Sequence, residues 1–301
     1  MRAMSYEFRP SKSVARKVFV DVLRRLALLS PLDGYHYIGF GALEFLDFDL
    51  VHRRLGVTRM TSIEANSNSI ERYVWNRPFN GIAVLPGRAA DVLPTLDWSD
   101  LAIVWLDYTS TLTVEVLSDA ALVARVLQPG SVLAVTVNAH PGRLGERREA
   151  LEAAVGPERV PLGVNDNRLG DWGLAETQNE ILAATITDAI ATRPGRASWR
   201  QVLNVQYKDN ARMQMLAGVV GAPALERALD QCRFADVPAV RLATDPPLVL
   251  QVPLLTGREQ AHLNTQLPRG ETDSPLQMPG VPQADLDEYG QIYRWLDPAA
   301  G

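Results

Sequence analysis

The stretch Tyr35-His36-Tyr37-Ile38-Gly39-Phe40-Gly41-Ala42-Leu43-Glu44-Phe45, followed about 25 residues later by Ser62-Ile63-Glu64, decides how the chain is read. Two glycines close one apolar segment and an acid closes the next. Backbone N–H groups can approach a ligand only where side-chain bulk is absent, and a carboxylate at the end of the neighbouring strand can accept hydrogen bonds from ribose hydroxyls. The spacing is that of a nucleoside site on a doubly wound sheet.

The segments around it keep the same alternation. Strands are expected over 35–40, 60–63, 81–85, 101–106 and 131–137, and helices over 42–55, 67–75, 91–96 and 114–127. The run Leu101-Ala102-Ile103-Val104-Trp105-Leu106 is continuously apolar, as a parallel strand buried on both faces must be. Ahead of this unit, Ser13 can cap a helix with Val14, Val18, Val22, Leu26 and Leu29 at helical spacing, stopped by Pro31 and Asp33-Gly34. Beyond it, helices are expected over 143–155 and 176–191, with a polar loop over 163–173 between them. Segments 201–207 and 213–220 then form a hairpin around Asp209-Asn210. From Ala222 prolines multiply. A strand over 248–252, a helix over 257–267 and an extended or mobile linker over 268–282 are expected there, with Tyr289, Tyr293 and Trp295 anchoring the tail. The fold class is therefore α/β, a doubly wound and mostly parallel Rossmann-like sheet closed by an antiparallel hairpin. Residues 1–34 form an N-terminal cap, 35–221 the main domain and 222–301 a proline-rich extension packed on the core.

Composition limits the function classes. The chain has 301 residues, 47% of them hydrophobic, and a formal net charge of -5, so it has no basic field of the kind that drives nonspecific nucleic-acid binding. Cys232 is its only cysteine, so no internal disulfide can form. With only His36, His52, His140 and His262 there is no Cys/His cluster at zinc spacing. The apolar run 18–29 is broken by Asp21, Arg24 and Arg25, which fits neither a signal peptide nor a membrane span, so the chain reads as cytoplasmic.

Five strand-helix units followed by an antiparallel hairpin resemble the class I S-adenosylmethionine-dependent methyltransferases, over 35–221. The resemblance implies S-adenosyl-L-methionine as cofactor. It places the methionine part over Gly39, Phe40 and Gly41, the ribose at Glu64 and Ala65, and the adenine near Gly87-Arg88-Ala89-Ala90-Asp91. The fourth strand would end at the active-site mouth with Asp107-Tyr108, and Gln128-Pro129-Gly130-Ser131-Val132-Leu133 looks like the family's entry to the fifth. Tyr37 stands where the family carries an acid for the cofactor's amino group, Leu43 where a third glycine often sits, and Arg88 where an acid or serine often meets the adenine. These departures keep open a member that retains the fold for binding or scaffolding alone.

Metal-dependent O-methyltransferases carry an Asp-Asn pair after the fifth strand. Here the pair is Val137-Asn138, so no catalytic metal is expected. A partial likeness to tRNA guanosine methyltransferases, carried by Leu106-Asp107-Tyr108 and 130–138, lacks the Asp-Pro-Phe signature and a basic domain. The favoured reading is methyl transfer to oxygen or nitrogen of a small or medium molecule, with an RNA or DNA methyltransferase as the alternative. A nicotinamide dehydrogenase shares the glycine and acid spacing, but the terminal hairpin argues against it.

Methyl transfer needs an aligned nucleophile and a group to take its proton. The candidates at the ends of strands four and five are Asp107, to orient or deprotonate the acceptor, Tyr108, to wall the site, Asn138, and His140 as base. Asp107 as a plain cap and His140 as a loop histidine are the alternatives. Arg9 and Lys12, with Arg16 and Lys17, are read either as contacts to an anionic substrate or as the solvated face of the first helix.

Overall fold

The computed structural model describes residues 9–270 and 272–296. Residues 1–8 of the expected cap and Pro298 of the extension lie outside them. The first half of the chain runs α1 (Pro10–Leu23), β1 (His36–Gly39), α2 (Leu46–Leu55), β2 (Arg59–Glu64), α3 (Ile70–Asn76), β3 (Ile82–Pro86), α4 (Ala89–Val92), β4 (Ala102–Thr111), α5 (Val114–Val126) and β5 (Val132–Asn138). The second half continues with α6 (Arg147–Val155), α7 (Gly173–Ala191), β6 (Ser198–Lys208), β7 (Arg212–Gly221), α8 (Glu226–Gln231), β8 (Leu248–Leu250), α9 (Gly257–Asn264) and α10 (Gln283–Ile292).

Among the described residues, eight strands join one sheet in the order β3-β2-β1-β4-β5-β7-β6-β8. Strands β1 to β5 pair in parallel, β7 runs antiparallel to both β5 and β6, and β8 pairs with β6 in parallel. Side chains alternate across the sheet. On β4, Ile103 and Trp105 enter a core shared with α1 and α2, while Val104 and Leu106 enter one shared with α5, α6 and α7. Burial on both faces is why this strand reads as unbroken apolar sequence.

Helix α1 begins at Pro10, not Ser13, and the reason lies far away in sequence. Its first turn is capped by Asp209 in the β6–β7 turn, whose Oδ1 accepts the Ser11 N–H at 2.9 Å and whose Oδ2 accepts the Lys12 N–H at 3.0 Å. The Ser11 hydroxyl adds a bond to the Lys208 carbonyl at 3.1 Å. Pro10 costs nothing at the first helical position, where an N–H would have no partner. The hairpin thus supplies the cap that the helix lacks and fixes α1 across the sheet.

Helix α2 starts at Leu46 rather than 42, because Ala42 (φ 51°) and Phe45 (φ 49°) take left-handed backbone and turn the chain first. Strand β4 runs on to Thr111, past the expected end at 106. It pairs Asp107 with Thr136 and then Thr111 with Asn138, four steps against two, so residues 108–110 bulge out at the end of the sheet.

The C-terminal extension differs most from the expectation. Helices α8 and α10 were not foreseen, and β8 extends the main sheet. The described residues of 268–282 form no regular element, yet Leu276 is buried against Leu263, Leu286 and Tyr289 and so ties α9 to α10. The Trp295 indole N–H donates to Asp21 Oδ2 at 2.7 Å, fastening the extension to α1.

Asp209→Ala is expected to destabilise the protein by about 1–2 kcal/mol, the usual cost of a lost helix cap. Chemical denaturation of the two proteins checks this, and an unchanged midpoint would mean that α1 is held by its apolar face alone.

Candidate active site

Two chambers meet at the carboxyl ends of β1, β2, β4 and β5, on the side covered by the start of α1. The first, about 190 Å³, is bordered by Phe40, Gly41, Glu44, Asp47, Glu64 and Asp107, with Lys12 and Arg16 from α1. The second, about 160 Å³, is bordered by Arg9, Asn138, Tyr207 and Asp209. Lys12 and Thr109 line both. Thr109 reaches this position because it belongs to the β4 bulge.

Lys12 Nζ lies 2.6 Å from Asp107 Oδ2, and both side chains are largely buried. The other oxygen, Asp107 Oδ1, is buried with no hydrogen-bond partner among the described residues. A carboxylate oxygen taken from water and left unpaired is costly, so it is a place where a bound donor would be stabilised.

Glu64, only 5% exposed, is tied to the glycine turn. The Ser62 hydroxyl accepts the Gly41 N–H at 2.8 Å and donates to Glu64 Oε1 at 2.6 Å. Burial pushes the Glu64 pKa up, opposed by hydrogen bonds from Ser62 and from the backbone of Ala42 and Gly41. Asp47, on the first turn of α2, accepts the Tyr37 hydroxyl at 2.6 Å. Its pKa is also raised by burial, against the Arg16 charge and the Tyr37 bond. The position where sequence comparison calls for an acid therefore holds a tyrosine, but that tyrosine carries a carboxylate on its hydroxyl.

Of the residues singled out in the sequence, Phe40, Gly41, Glu64, Asp107, Lys12 and Arg16 border the first chamber, and Arg9, Lys12 and Asn138 the second. Gly39 packs below, where an added Cβ would lie 3.2 Å from the Trp105 carbonyl oxygen and from the Tyr37 hydroxyl. The others border neither chamber. Tyr108 turns to the opposite face, donates to Asp119 Oδ2 at 2.6 Å and packs edge-on against Phe40. His140 is exposed beyond β5, with its backbone N–H on Asn138 Oδ1. Ala65 follows β2 on the surface, and Arg88 and Ala89 stand at the start of α4. Sequence reading missed Glu44, Asp47, Thr109 and Tyr207 as residues bordering the two chambers.

Among the described residues, no group of three or more His, Cys, Asp or Glu side chains is arranged to hold a metal ion, and no helix is long and apolar enough to cross a membrane.

A sheet in this order, with an acid-lined cleft over its first two strand ends, defines a class I methyltransferase fold. Residues 4–298 match the family described as "Putative O-methyltransferase", and the chain belongs to that family. A search of curated proteins found no match. Among solved structures, the chain is similar to Trm1 from Pyrococcus horikoshii in complex with S-adenosyl-L-methionine. That match has 13% identity and a TM-score of 0.48, and covers 75% of this chain and 58% of that one. It is also similar to an arsenic(III) S-adenosylmethionine methyltransferase from Chlamydomonas reinhardtii (14% identity, TM-score 0.41, covering 64% and 65%). A third is the O-methyltransferase TomG from Streptomyces achromogenes in complex with SAM (16% identity, TM-score 0.37, covering 70% and 90%).

Gly41 has a structural task besides bordering the chamber. A Cβ there would stand 2.4 Å from the Phe45 ring and 2.7 Å from Ser62 Oγ. Gly41→Ala is therefore expected to destabilise the protein by about 1–3 kcal/mol through overpacking, and Phe45→Leu in the same chain to restore part of the loss. Thermal unfolding of the single and double variants checks this. A Gly41→Ala protein of unaltered stability would assign the glycine to ligand contact alone.

Proposed function

We propose that the protein transfers a methyl group from S-adenosyl-L-methionine to an oxygen of a small molecule, with the first chamber for the cofactor and the second for the acceptor. The observation that carries this reading is the charge of the first chamber beside an adjoining second one. Glu44, Asp47, Glu64 and Asp107 face Lys12 and Arg16, four carboxylates against two cations. Among the described lining residues carboxylates outnumber cations, which suits a ligand bearing a sulfonium and an ammonium group. The same surplus repels the pyrophosphate of a nicotinamide dinucleotide.

When bound, S-adenosyl-L-methionine supplies an electrophilic methyl whose sulfur keeps the electron pair of the broken bond. This chain's residues do the rest. Glu64, held by Ser62 and the glycine turn, accepts hydrogen bonds from the ribose. Asp47, steadied by Tyr37, faces the ammonium end, with Arg16 beside it as a counter-charge for the carboxylate. Asp107 Oδ1 accepts the hydrogen bond of the acceptor hydroxyl and takes its proton as the new O–C bond forms. Lys12 keeps that carboxylate in place at the junction. Most of the expected rate gain comes from alignment, because in-line displacement depends on holding nucleophile and carbon in contact.

Glu64→Gln is expected to weaken cofactor binding by about 1–3 kcal/mol, through loss of hydrogen bonds to an ionised acceptor. Calorimetric titration with S-adenosyl-L-methionine measures it, and unchanged affinity would remove Glu64 from the site. Asp107→Asn is expected to lower single-turnover methyl transfer by about 10²-fold or more, while changing cofactor affinity far less. Equal losses in both would make Asp107 a structural partner of Lys12.

A further inference from the structure

A third cavity, about 480 Å³, is bordered by β8, by the segments that follow α8 and α9, and by α10 and the residues after it. It shares no lining residue with either chamber of the candidate active site. Its volume falls in the range of small-molecule sites. Arg241, Arg269 and Arg294 border it, and neutral groups hold all three. Arg241 Nη1 donates to the carbonyls of Pro238 and Val240, both at 2.8 Å. Arg269 Nη2 donates to the Asp273 carbonyl at 3.0 Å, and Arg294 Nε to the Tyr293 hydroxyl at 3.1 Å. Among the described residues none of the three forms an ion pair. Asp287, the one carboxylate among the described lining residues, accepts the Gln283 side-chain amide at 2.9 Å. Carbonyl and phenol oxygens orient a guanidinium without neutralising it, so the charge of all three arginines acts on whatever enters the cavity. The Arg269 Nε–H is buried and has no acceptor among the described residues, a rare state for a buried donor. The lining is otherwise partly apolar, with Leu248 and Leu276 buried and Leu267 beside them.

We infer that this cavity is a second ligand site, for a small phosphomonoester with an apolar body. The phosphate accepts the Arg269 Nε–H and the N–H groups of Arg241 and Arg294 that the fold does not engage, and the body packs on the leucines. Three arginines to one carboxylate match a group that carries close to two negative charges, and the planar fork of a guanidinium matches phosphate oxygens two at a time. A singly charged acid of the same shape gains less from the same wall. The assignment is independent of the methyl-transfer reading, because no residue of this cavity belongs to the site proposed for that reaction.

The test titrates phenyl phosphate, benzenesulfonate and inorganic phosphate calorimetrically into the full chain at a pH of about 8, where the phosphomonoester carries its second charge. Benzenesulfonate keeps the ring with one charge, and inorganic phosphate keeps the charge without the ring. Phenyl phosphate is expected to bind about ten-fold or more tightly than either. Arg269→Gln and Arg294→Gln are each expected to weaken it by about ten-fold. Arg294 is exposed and its bond is to the neighbouring Tyr293, so Arg294→Gln reports on the site even where loss of the Arg269 bond to the Asp273 carbonyl disturbs folding. Saturating S-adenosylhomocysteine is expected to leave the phenyl phosphate affinity unchanged. Equal affinity for phenyl phosphate and either other probe, no binding of phenyl phosphate at millimolar concentration, or undiminished affinity in Arg294→Gln would overturn the assignment. Displacement of phenyl phosphate by S-adenosylhomocysteine would also overturn it, by moving the probe to the first chamber.

Discussion

Two hydrogen bonds from the first turn of α1 to the carboxylate of Asp209 hold the site together. A helix N-terminus has four N–H groups without intrahelical partners, and α1 starts with Pro10, with no side chain of its own able to cap it. The cap comes instead from the β6–β7 turn, beside the carboxyl end of β5. Once that contact is made, the position of every residue on α1 is fixed relative to the strand ends. Lys12 is then delivered to Asp107, and Arg16, one turn on, to the neighbourhood of Asp47. The apolar face of α1 gives most of the burial energy, through Val14, Val18, Phe19 and Val22, but an apolar face alone does not specify a register along the sheet. The polar contact does.

From that constraint follows the electrostatic design of the cleft. Four carboxylates in a partly buried space repel one another and lose hydration, and burial raises the pKa of Glu64 and Asp47 accordingly. Lys12 and Arg16 offset part of this cost.

Much of the fold was legible because its signals are local. Strand β4 is apolar at consecutive positions, Gly56 sits where α2 ends, and Asp209-Asn210 marks a hairpin turn. Each of these reflects a constraint acting over a few residues. The glycine turn, Glu64 and Asp107 were legible for the same reason, since their roles depend on strand ends that periodicity reveals. What escaped was set by distant partners. The start of α1 depends on a residue 198 positions away. The left-handed Phe45 depends on packing under Gly41, and Tyr207 reads in the sequence as an ordinary strand residue whose hydroxyl needs no comment. Tyr37 looked like a departure from an acid position because its bond to Asp47 is tertiary. The burial of Leu276 against α9 and α10 is concealed by a composition rich in proline.

We propose that the two chambers are the cofactor and acceptor halves of one site, meeting at Lys12 and Thr109 beside Asp107. The structure of the protein crystallised with S-adenosylhomocysteine tests this most directly. The account predicts the ribose against Glu64, the amino-acid end between Asp47 and Arg16, and the sulfur facing the Lys12–Asp107 junction. A ligand bound elsewhere, or one lying in the first chamber with its sulfur turned away from that junction, would contradict it.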